Sequence, residues 1–308
     1  MNRAAASATS HRDVRRGFAF GVAAYGLWGV LPIYFKAISD VPAFDIVAHR
    51  VLWSLPFLAV LLTVSRGWSE VRQAVRRRRT LILLLSTATL IGINWLLYVY
   101  AVTSGHILAA SLGYYLNPLA NVLLGRFVLK ERLSWLQWSA IAIAAAGILA
   151  LAGGALDQLW ISLTLCVTFA TYGLLRKIAL VDAVAGLAIE TTLLFPLAIA
   201  WLAWRLAAGA PSFGSSGTET ALLVAAGVVS TTPLLLFTAA ARRLQYSTLG
   251  MLQFLAPTLQ FLCAVWLYGE PFGRAHAIAF GAIWTALVLY TVALARAPRL
   301  QECPQPPE

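Results

Sequence analysis

Charged residues are scarce in this sequence: Asp, Glu, Lys and Arg together make up 11% of its 308 residues. A soluble domain carries about 25%. The hydrophobic fraction is 60% and the mean hydropathy is +0.78. Polar groups are therefore too few to cover the surface of a water-soluble fold, and we expect lipid to be the solvent of this chain.

Cysteine and histidine are also rare and scattered. The three cysteines, Cys166, Cys263 and Cys303, form no CxxC pair, and the four histidines do not cluster. Neither a disulfide framework nor a zinc site is indicated, and we expect no metal and no cofactor. The sequence also lacks a GxxxxGK[ST] nucleotide-binding loop and an HExxH motif, which disfavours an ATP-driven machine and a zinc protease.

Long apolar stretches occupy most of the chain. A helix that crosses a bilayer needs about 20 predominantly apolar residues, and ten stretches of suitable length occur. They lie at residues 18–36, 44–65, 80–101, 107–128, 133–152, 158–177, 184–206, 219–240, 247–268 and 275–295. The sequence therefore predicts an all-α polytopic membrane protein with ten transmembrane helices.

The two ends of the chain differ from these stretches. Residues 1–17 are polar, small and basic, and the apolar stretch that follows has no clear small-residue cleavage site behind it. We interpret that stretch as an uncleaved first span. Residues 296–308 are rich in proline. We expect a disordered basic N-terminus at 1–17 and a disordered tail at 296–308.

The positive charges divide unevenly between the two sides of the predicted membrane protein. If both termini are cytoplasmic, all but four of the 23 Lys and Arg residues fall on the cytoplasmic side, many of them in a basic loop at 66–79. This asymmetry predicts a bacterial cytoplasmic (inner) membrane protein with cytoplasmic N- and C-termini. It also accounts for the net charge of +11 without a nucleic-acid partner.

The fourth and ninth predicted spans resemble each other. Ser111–Glu131 reads SLGYYLNPLANVLLGRFVLKE, and Gly250–Glu270 reads GMLQFLAPTLQFLCAVWLYGE. Pro118 and Pro257 are 139 residues apart, and so are the closing glutamates. Because five is an odd number, equivalent spans in two five-helix halves run in opposite directions. We therefore predict two inverted repeats, residues 18–152 and 158–295.

Three residues of these segments carry specific expectations. A proline frees a backbone carbonyl and can bend a helix, so Pro118 and Pro257, near mid-span, are predicted hinges. Glu131 is flanked by Lys130 and Arg132 at a predicted membrane face. We interpret Glu131 as an interfacial anchor rather than a coupling carboxylate.

Two of the charged residues lie well inside predicted spans rather than at their ends, at a depth where charge is costly and indicates a functional site. Arg50 and Glu190 are 140 residues apart in the equivalent second and seventh spans. They could pair with each other, or each could hold a substrate charge. Alternatively, Arg50 extends to the outer interface and Glu190 bonds a neighbouring helix. His49 precedes Arg50 and titrates near neutral pH, so Glu190 and His49 are candidates for proton coupling.

Aromatic and amide side chains within the spans form a second candidate set. Rings and amides together suit a small amphipathic or zwitterionic ligand. For each residue the alternative is an interfacial anchor or a bond between helices. The candidate substrate-binding residues are Trp28, Asn94, Trp95, Tyr98, Tyr114, Tyr115, Asn117, Tyr172 and Gln253.

Seven motifs distributed over residues 15–295 resemble the RarD subfamily of the EamA-type drug/metabolite transporters. They are AYGLWGVLPIYFK, DIVAHRVLWS, GINWLLYVYAV, SLGYYLNPLANVLLGRFVLKERL, FATYGLLRK, LAIETTLLFPLA and STLGMLQFLAPTLQFLCAVWLYGE. The resemblance implies a ten-helix inner-membrane permease with two five-helix inverted repeats. The subfamily is named for a chloramphenicol-resistance permease, and it brings no agreed set of binding residues.

We therefore predict a secondary transporter that moves a small amphipathic metabolite or drug across the membrane by alternating access. Proton coupling and export of drugs such as chloramphenicol are two forms of this prediction. A gradient-independent facilitator or exchanger of amino acids or metabolites is the alternative. A membrane-embedded enzyme lacks a recognisable dyad or nucleophile, and a channel lacks a filter or charged ring. The expected partners are a small-molecule substrate and lipid, and a homodimer remains open.

Overall fold

The computed structural model describes residues 2–38, 40–103, 107–152, 159–210, 212–214, 216–267 and 274–296. These residues form helices joined by turns and irregular segments, and they contain no strand. The helices of the first half are α1 (Asn2–Ala37), α2 (Ala43–Val64), α3 (Trp68–Arg76), α4 (Arg78–Thr103), α5 (Ile107–Phe127) and α6 (Trp135–Ala152). Those of the second half are α7 (Leu159–Ile178), α8 (Ala183–Ala207), α9 (Gly217–Ala241), α10 (Tyr246–Gln253), α11 (Leu255–Leu262) and α12 (Arg274–Arg296). A π-helical turn, Cys263–Leu267, continues α11.

Most of these helices are apolar enough to lie in a bilayer. Among the described residues, 6 helices are long and apolar enough to cross a membrane, and they belong to α1, α2, α4, α7, α8 and α9. Shorter apolar stretches occur in α6 and α12, and the remaining predicted spans correspond to α5 and to α10 with α11. The chain is a multi-pass, all-α membrane protein.

Two segments differ from the sequence-based expectation. Residues 1–17 were predicted to be disordered, but α1 begins at Asn2, since Ala and Arg in this segment favour helix. The basic loop predicted at 66–79 contains α3, in which Ala74 is buried and Val71 packs on the core. Nine residues are too few to register as a span. The predicted tail beyond Arg296 lies outside the described residues.

Contacts between helix ends define two faces of the bundle. One face, called the basic face below, contains the end of α9 and the start of α8, where Arg242 pairs with Asp182 at an N–O distance of 3.1 Å. On the same face, the Asp182 amide donates to Glu70, near the start of α3, at 2.5 Å. On the opposite face, Arg205 near the end of α8 pairs with Asp45 near the start of α2 at 3.1 Å. Helix α8 therefore runs from one face to the other.

The prolines of the two predicted hinges act differently. Helix α5 continues through Pro118, whereas the segment that contains Pro257 is interrupted at Phe254, between α10 and α11. Pro257 has no N–H with which to bond the carbonyl of Gln253. At the interruption, the Phe254 amide bonds Met251 O at 3.3 Å, an i−3 bond in place of the i−4 bond of an α-helix. The interruption thus falls where proline leaves the helical ladder open.

Helix α9 approaches α2 closely because of one glycine. A Cβ on Gly227 would overlap the backbone of Trp53 and Ser54, so any larger residue would force the two helices apart. The close approach also lets the Ser54 hydroxyl reach Gly227 O at 3.3 Å and Thr231 Oγ1 at 2.6 Å. This contact forms one wall of the cavity described next.

Candidate functional site

A small cavity lies inside the bundle where helices of both halves meet. Its volume in this conformation is about 10 Å³, roughly the space that one water molecule needs. It is walled by α2 and α4 of the first half and by α8 and α9 of the second. Its lining residues are Arg50, Val51, Ser54, Trp95, Leu187, Thr191, Leu194, Thr231 and Leu234. The lining combines one cation, one indole ring, three hydroxyls and an apolar remainder, which suits an amphipathic ligand.

Arg50 supplies the charge of this cavity. Its guanidinium carbon lies 3.5 Å from the ring centroid of Trp95, a cation–π contact that occupies the flat face of the guanidinium. Among the described residues, no carboxylate lies within ion-pair distance of Arg50.

Glu190 does not pair with Arg50. Its carboxylate lies 3.6 Å from a guanidinium nitrogen of Arg176, accepts a 2.5 Å bond from the Thr87 hydroxyl and a 3.4 Å bond from the Tyr172 hydroxyl. The Arg176 and Glu190 side chains are 0% and 1% exposed, so the pair is enclosed by protein. Of the alternatives for Glu190, the structure shows a bond between neighbouring helices.

Arg176 is the main residue that the sequence reasoning missed. Positive-inside counting treats it as a loop charge near the end of the sixth predicted span, yet it is fully buried and also donates to Ala183 O at 3.3 Å. The short turn between α7 and α8 folds Arg176 back against Glu190. A cation near the end of one helix and an anion near the start of the next are the signal that could have identified this pair.

His49 points away from the cavity although it precedes Arg50. Its ring stacks on Phe213 with a centroid distance of 5.3 Å, and Phe213 also stacks on Trp53. The side chain is buried, and its Nδ1 has no hydrogen-bond partner among the described residues. The structure therefore does not bring His49 and Glu190 together.

Asn94, Tyr98 and Tyr114 connect three helices beside the cavity. The Asn94 amide donates to Leu165 O and to Thr168 Oγ1, both at 2.9 Å. It accepts a 3.3 Å bond from the Tyr114 hydroxyl, and Tyr114 packs edge-on against Tyr98. In this conformation the hydrogen bonds of Asn94 and Tyr114 join α4, α5 and α7. Of the nine aromatic and amide candidates, Trp95 alone is among the residues that line the cavity.

Trp28 and Tyr172 belong to an aromatic cluster between α1, α7 and α9. Trp28 lies 6.0 Å from Phe169 and 5.8 Å from Phe237, measured between ring centroids. Tyr172 stacks on Phe237 at 6.4 Å while its hydroxyl contacts Glu190. Tyr172 thus connects the cluster to the buried ion pair.

The three remaining candidates lie on other surfaces of α5 and α10. Tyr115 packs against Phe280 of α12, with ring centroids 6.0 Å apart. Gln253 accepts a 2.8 Å bond from Asn121. Asn117 is fully buried, and neither end of its amide has a hydrogen-bond partner among the described residues.

Glu131 lies on the basic face and binds the start of α10. Its carboxylate accepts bonds from the backbone amides of Tyr246 and Ser247 at 2.6 and 3.0 Å, and from the Ser247 hydroxyl at 2.6 Å. Lys130 adopts a left-handed conformation with φ 57°, which turns the chain after α5 and brings Glu131 N to Gly125 O at 2.9 Å. An anion at a helix N-terminus accepts hydrogen bonds from the free amides of the first turn and is attracted by the positive end of the helix dipole.

These features define the class of the protein. Membrane helices of two halves enclose a cavity with a cation, an indole and hydroxyls, and within the described residues no cluster of His, Cys, Asp and Glu is placed to hold a metal ion. The arrangement is that of a polytopic membrane protein with a small polar cavity, lined in part by a cation, inside its helix bundle.

Comparison with known proteins identifies the family. The EamA-like transporter family profile matches residues 15–153. Protein RarD of Salmonella typhi is 44% identical over 290 residues, which cover 91% of this chain and 96% of that protein. The chloramphenicol-sensitive protein RarD of Pseudomonas aeruginosa is 34% identical over 278 residues, covering 89% and 93%. The chain belongs to the EamA-like transporter family, among the RarD proteins, and is a membrane transporter.

A solved structure supports the fold. A crystal structure with 23% sequence identity superimposes with a TM-score of 0.71 and covers 92% of this chain and 99% of that chain. At this identity the likeness concerns the fold alone.

Proposed function

We propose that the protein is a secondary transporter that moves a small amphipathic metabolite or drug across the bacterial cytoplasmic membrane by alternating access. The observation that carries this proposal is the cavity between the two halves, whose walls come from α2 and α4 on one side and α8 and α9 on the other. A site between two halves can be exposed to either face when the halves rock against each other.

The helix contacts support an inverted repeat of ten spans, residues 18–152 and 158–295. Helices α1, α2, α4, α5 and α6 are taken as equivalents of α7, α8, α9, α10–α11 and α12. In this assignment, the contact between α1 and α9 is equivalent to the contact between α7 and α4. The contact between α5 and α7 is equivalent to the contact between α10–α11 and α1. The contact between α2 and α9 is equivalent to the contact between α8 and α4. The contacts α2–α8, α5–α10 and α6–α12 each join two equivalent helices, so exchanging the two halves leaves each of them unchanged.

Each face of the bundle carries polar contacts that would have to break for that face to open. On the basic face, Glu131 of the first half binds α10 of the second. On the opposite face, Asp45 of the first half binds Trp201 and Arg205 of the second at 2.9 and 3.1 Å. We propose that the basic face and both termini are cytoplasmic, in accord with the positive-inside rule.

A cross-link between the halves tests alternating access. In a variant without native cysteines, Glu131→Cys and Ser247→Cys can be joined by a short thiol cross-linker, since the native side chains are 2.6 Å apart. We expect uptake into proteoliposomes of radiolabelled amino acids, organic acids or chloramphenicol to fall to the level of protein-free liposomes. A reductant that cleaves the linker should restore it.

The matched control joins two helices of the same half on the same face. Asp182→Cys and Arg242→Cys replace a contact between α8 and α9, which move together if each half is a unit. Transport should survive this second cross-link. Continued transport with Glu131→Cys and Ser247→Cys joined would contradict alternating access, and single-channel currents from the purified protein would indicate a channel instead.

Proton coupling is the second part of the proposal, and Glu190 is its candidate carboxylate. Protonation of Glu190 would neutralise the partner of Arg176, which lies 3.6 Å away, and would loosen α7 from α8. Protonation of Glu190 and movement of α7 against α8 would therefore be linked. The alternative is a facilitator or exchanger in which this pair is structural and no gradient drives accumulation.

We expect Glu190→Gln to abolish accumulation driven by a pH gradient while it preserves counterflow exchange of the same substrate. Gln keeps an acceptor for the Thr87 hydroxyl, which bonds Glu190 at 2.5 Å, but carries no titratable proton. Uptake with and without a pH gradient, beside counterflow, measures both activities. Glu219→Gln, in the first turn of α9, is the control. Full gradient-driven accumulation by Glu190→Gln would show that Glu190 does not carry the coupling proton, whereas a parent protein that exchanges substrate but accumulates none under a pH gradient would support the facilitator.

A further inference from the structure

The cavity contains a cation whose charge the described part of the protein does not neutralise. Arg176, which is fully buried, pairs with Glu190, and Arg205 pairs with Asp45. Arg50 has no such carboxylate among the described residues, although it lies inside a membrane helix and is only partly exposed. An unpaired charge within the membrane is costly and indicates a site that binds a partner of opposite charge.

The surroundings of Arg50 leave its hydrogen-bond donors available. Trp95 covers the flat face of the guanidinium at 3.5 Å, and that contact uses none of the N–H groups at its edge. The planar edge of a guanidinium matches the two oxygens of a carboxylate. A stacked arginine is thus held in position for an anion.

The other residues of the cavity fit the remainder of such a ligand. Thr191 and Thr231 place hydroxyls in the lining beside Arg50, and hydroxyls can donate to a carboxylate oxygen. Leu187, Leu194 and the Trp95 ring offer apolar surface for an uncharged portion.

We propose that the transported substrate is an amphipathic organic anion whose carboxylate binds the Arg50 guanidinium. The inference rests on the proposed function, because it identifies the cavity as the substrate site of the transporter. Trp95 orients the guanidinium, Thr191 and Thr231 complete the anion's hydrogen bonds, and the leucines receive the apolar portion. Neutral molecules of the same shape bind weakly because they leave the cation without a partner.

Matched acids and amides test this assignment, because each pair differs mainly in charge. The probes are indole-3-acetate with indole-3-acetamide, and hexanoate with hexanamide. Binding to the purified full chain is followed by thermal shift, since a ligand of the folded state stabilises it by mass action. We expect an acid to raise the Tm where its amide does not.

Variants then assign the effect to Arg50. Arg50→Gln should weaken binding of the acid by about tenfold or more, the effect of losing a charge-assisted contact, and Arg50→Lys should fall between. Arg243→Gln removes a cation on the basic face and should bind like the parent. The Tm without ligand and the gel-filtration profile verify that each variant is folded, and Arg50→Lys separates lost charge from lost packing.

The outcomes separate this inference from the proposed function. Acid binding that persists in Arg50→Gln, amides that bind as well as acids, or the absence of any acid-dependent shift would each overturn the anion assignment. If amides bind and Trp95→Ala weakens them, the cavity is the substrate site but its ligand is neutral. The cross-link between Glu131→Cys and Ser247→Cys tests transport without regard to the charge of the substrate.

Discussion

Replacement of Arg176 by Met should lower the free energy of unfolding by about 3–5 kcal/mol, the loss typical when one partner of a buried ion pair is removed. The Glu190 carboxylate would stay inside the bundle without its cation, because both side chains are almost completely buried. Arg176 also fits closely against α8: a Cβ on Gly186 would overlap its guanidinium. Unfolding in detergent micelles, followed by tryptophan fluorescence, measures the loss.

A second substitution distinguishes an uncompensated charge from lost packing. Arg176→Met combined with Glu190→Gln removes both charges, and most of the lost stability should return. Arg242→Met is the control at the surface, where its pair with Asp182 is exposed and should contribute about 0–1 kcal/mol. An Arg176→Met protein as stable as the parent would show that Glu190 is neutral or differently paired in the membrane.

The same pair shows what the sequence could and could not reveal about the fold. The positions of the apolar stretches followed from composition, because a bilayer imposes a length on every crossing helix. The role of Arg176 did not follow, since a basic residue near a span end has the same appearance whether it faces water or a neighbouring helix. Helix α3 was missed because it is short, and the interruption at Phe254 occurs in only one of two segments that share a proline.

The candidate site was predictable to a similar degree. Arg50 and Trp95 were both selected from the sequence, and both line the cavity. Asn94 and Tyr114 were selected on the same grounds, yet they bond one another and α7. A polar side chain in a membrane helix suits a ligand or a neighbouring helix equally well, and only the packing of the helices decides between them.

Glu131→Gln should produce the second large effect, at the contact between the halves on the basic face. The carboxylate accepts three hydrogen bonds from Tyr246 and Ser247, whereas one end of a Gln side chain is itself a donor and would face these amides. We expect the contact to weaken by about 2–3 kcal/mol, since a hydrogen bond to a charged group contributes about 1.5–3 kcal/mol. Hydrogen exchange of the first amides of α10 measures this change directly.

Ser247→Ala provides the graded comparison for Glu131→Gln. It removes the hydroxyl bond and leaves both backbone bonds to Glu131 in place, so exchange at the start of α10 should rise much less. Equal exchange in the parent and in Glu131→Gln would show that the carboxylate does not hold α10.

Access to the cavity decides whether this contact is a gate or only a helix cap. A cysteine at Thr191, in the cavity lining, can be reached by a thiol reagent applied at the basic face only when that face is open. If Glu131 closes the face, Glu131→Gln should speed labelling up to roughly a hundredfold, the equilibrium shift that corresponds to the lost contact. The cross-link between Glu131→Cys and Ser247→Cys should slow labelling. A cap without a gating role would change the exchange at α10 and leave the labelling rate unaltered, because the path to Thr191 would not depend on that contact.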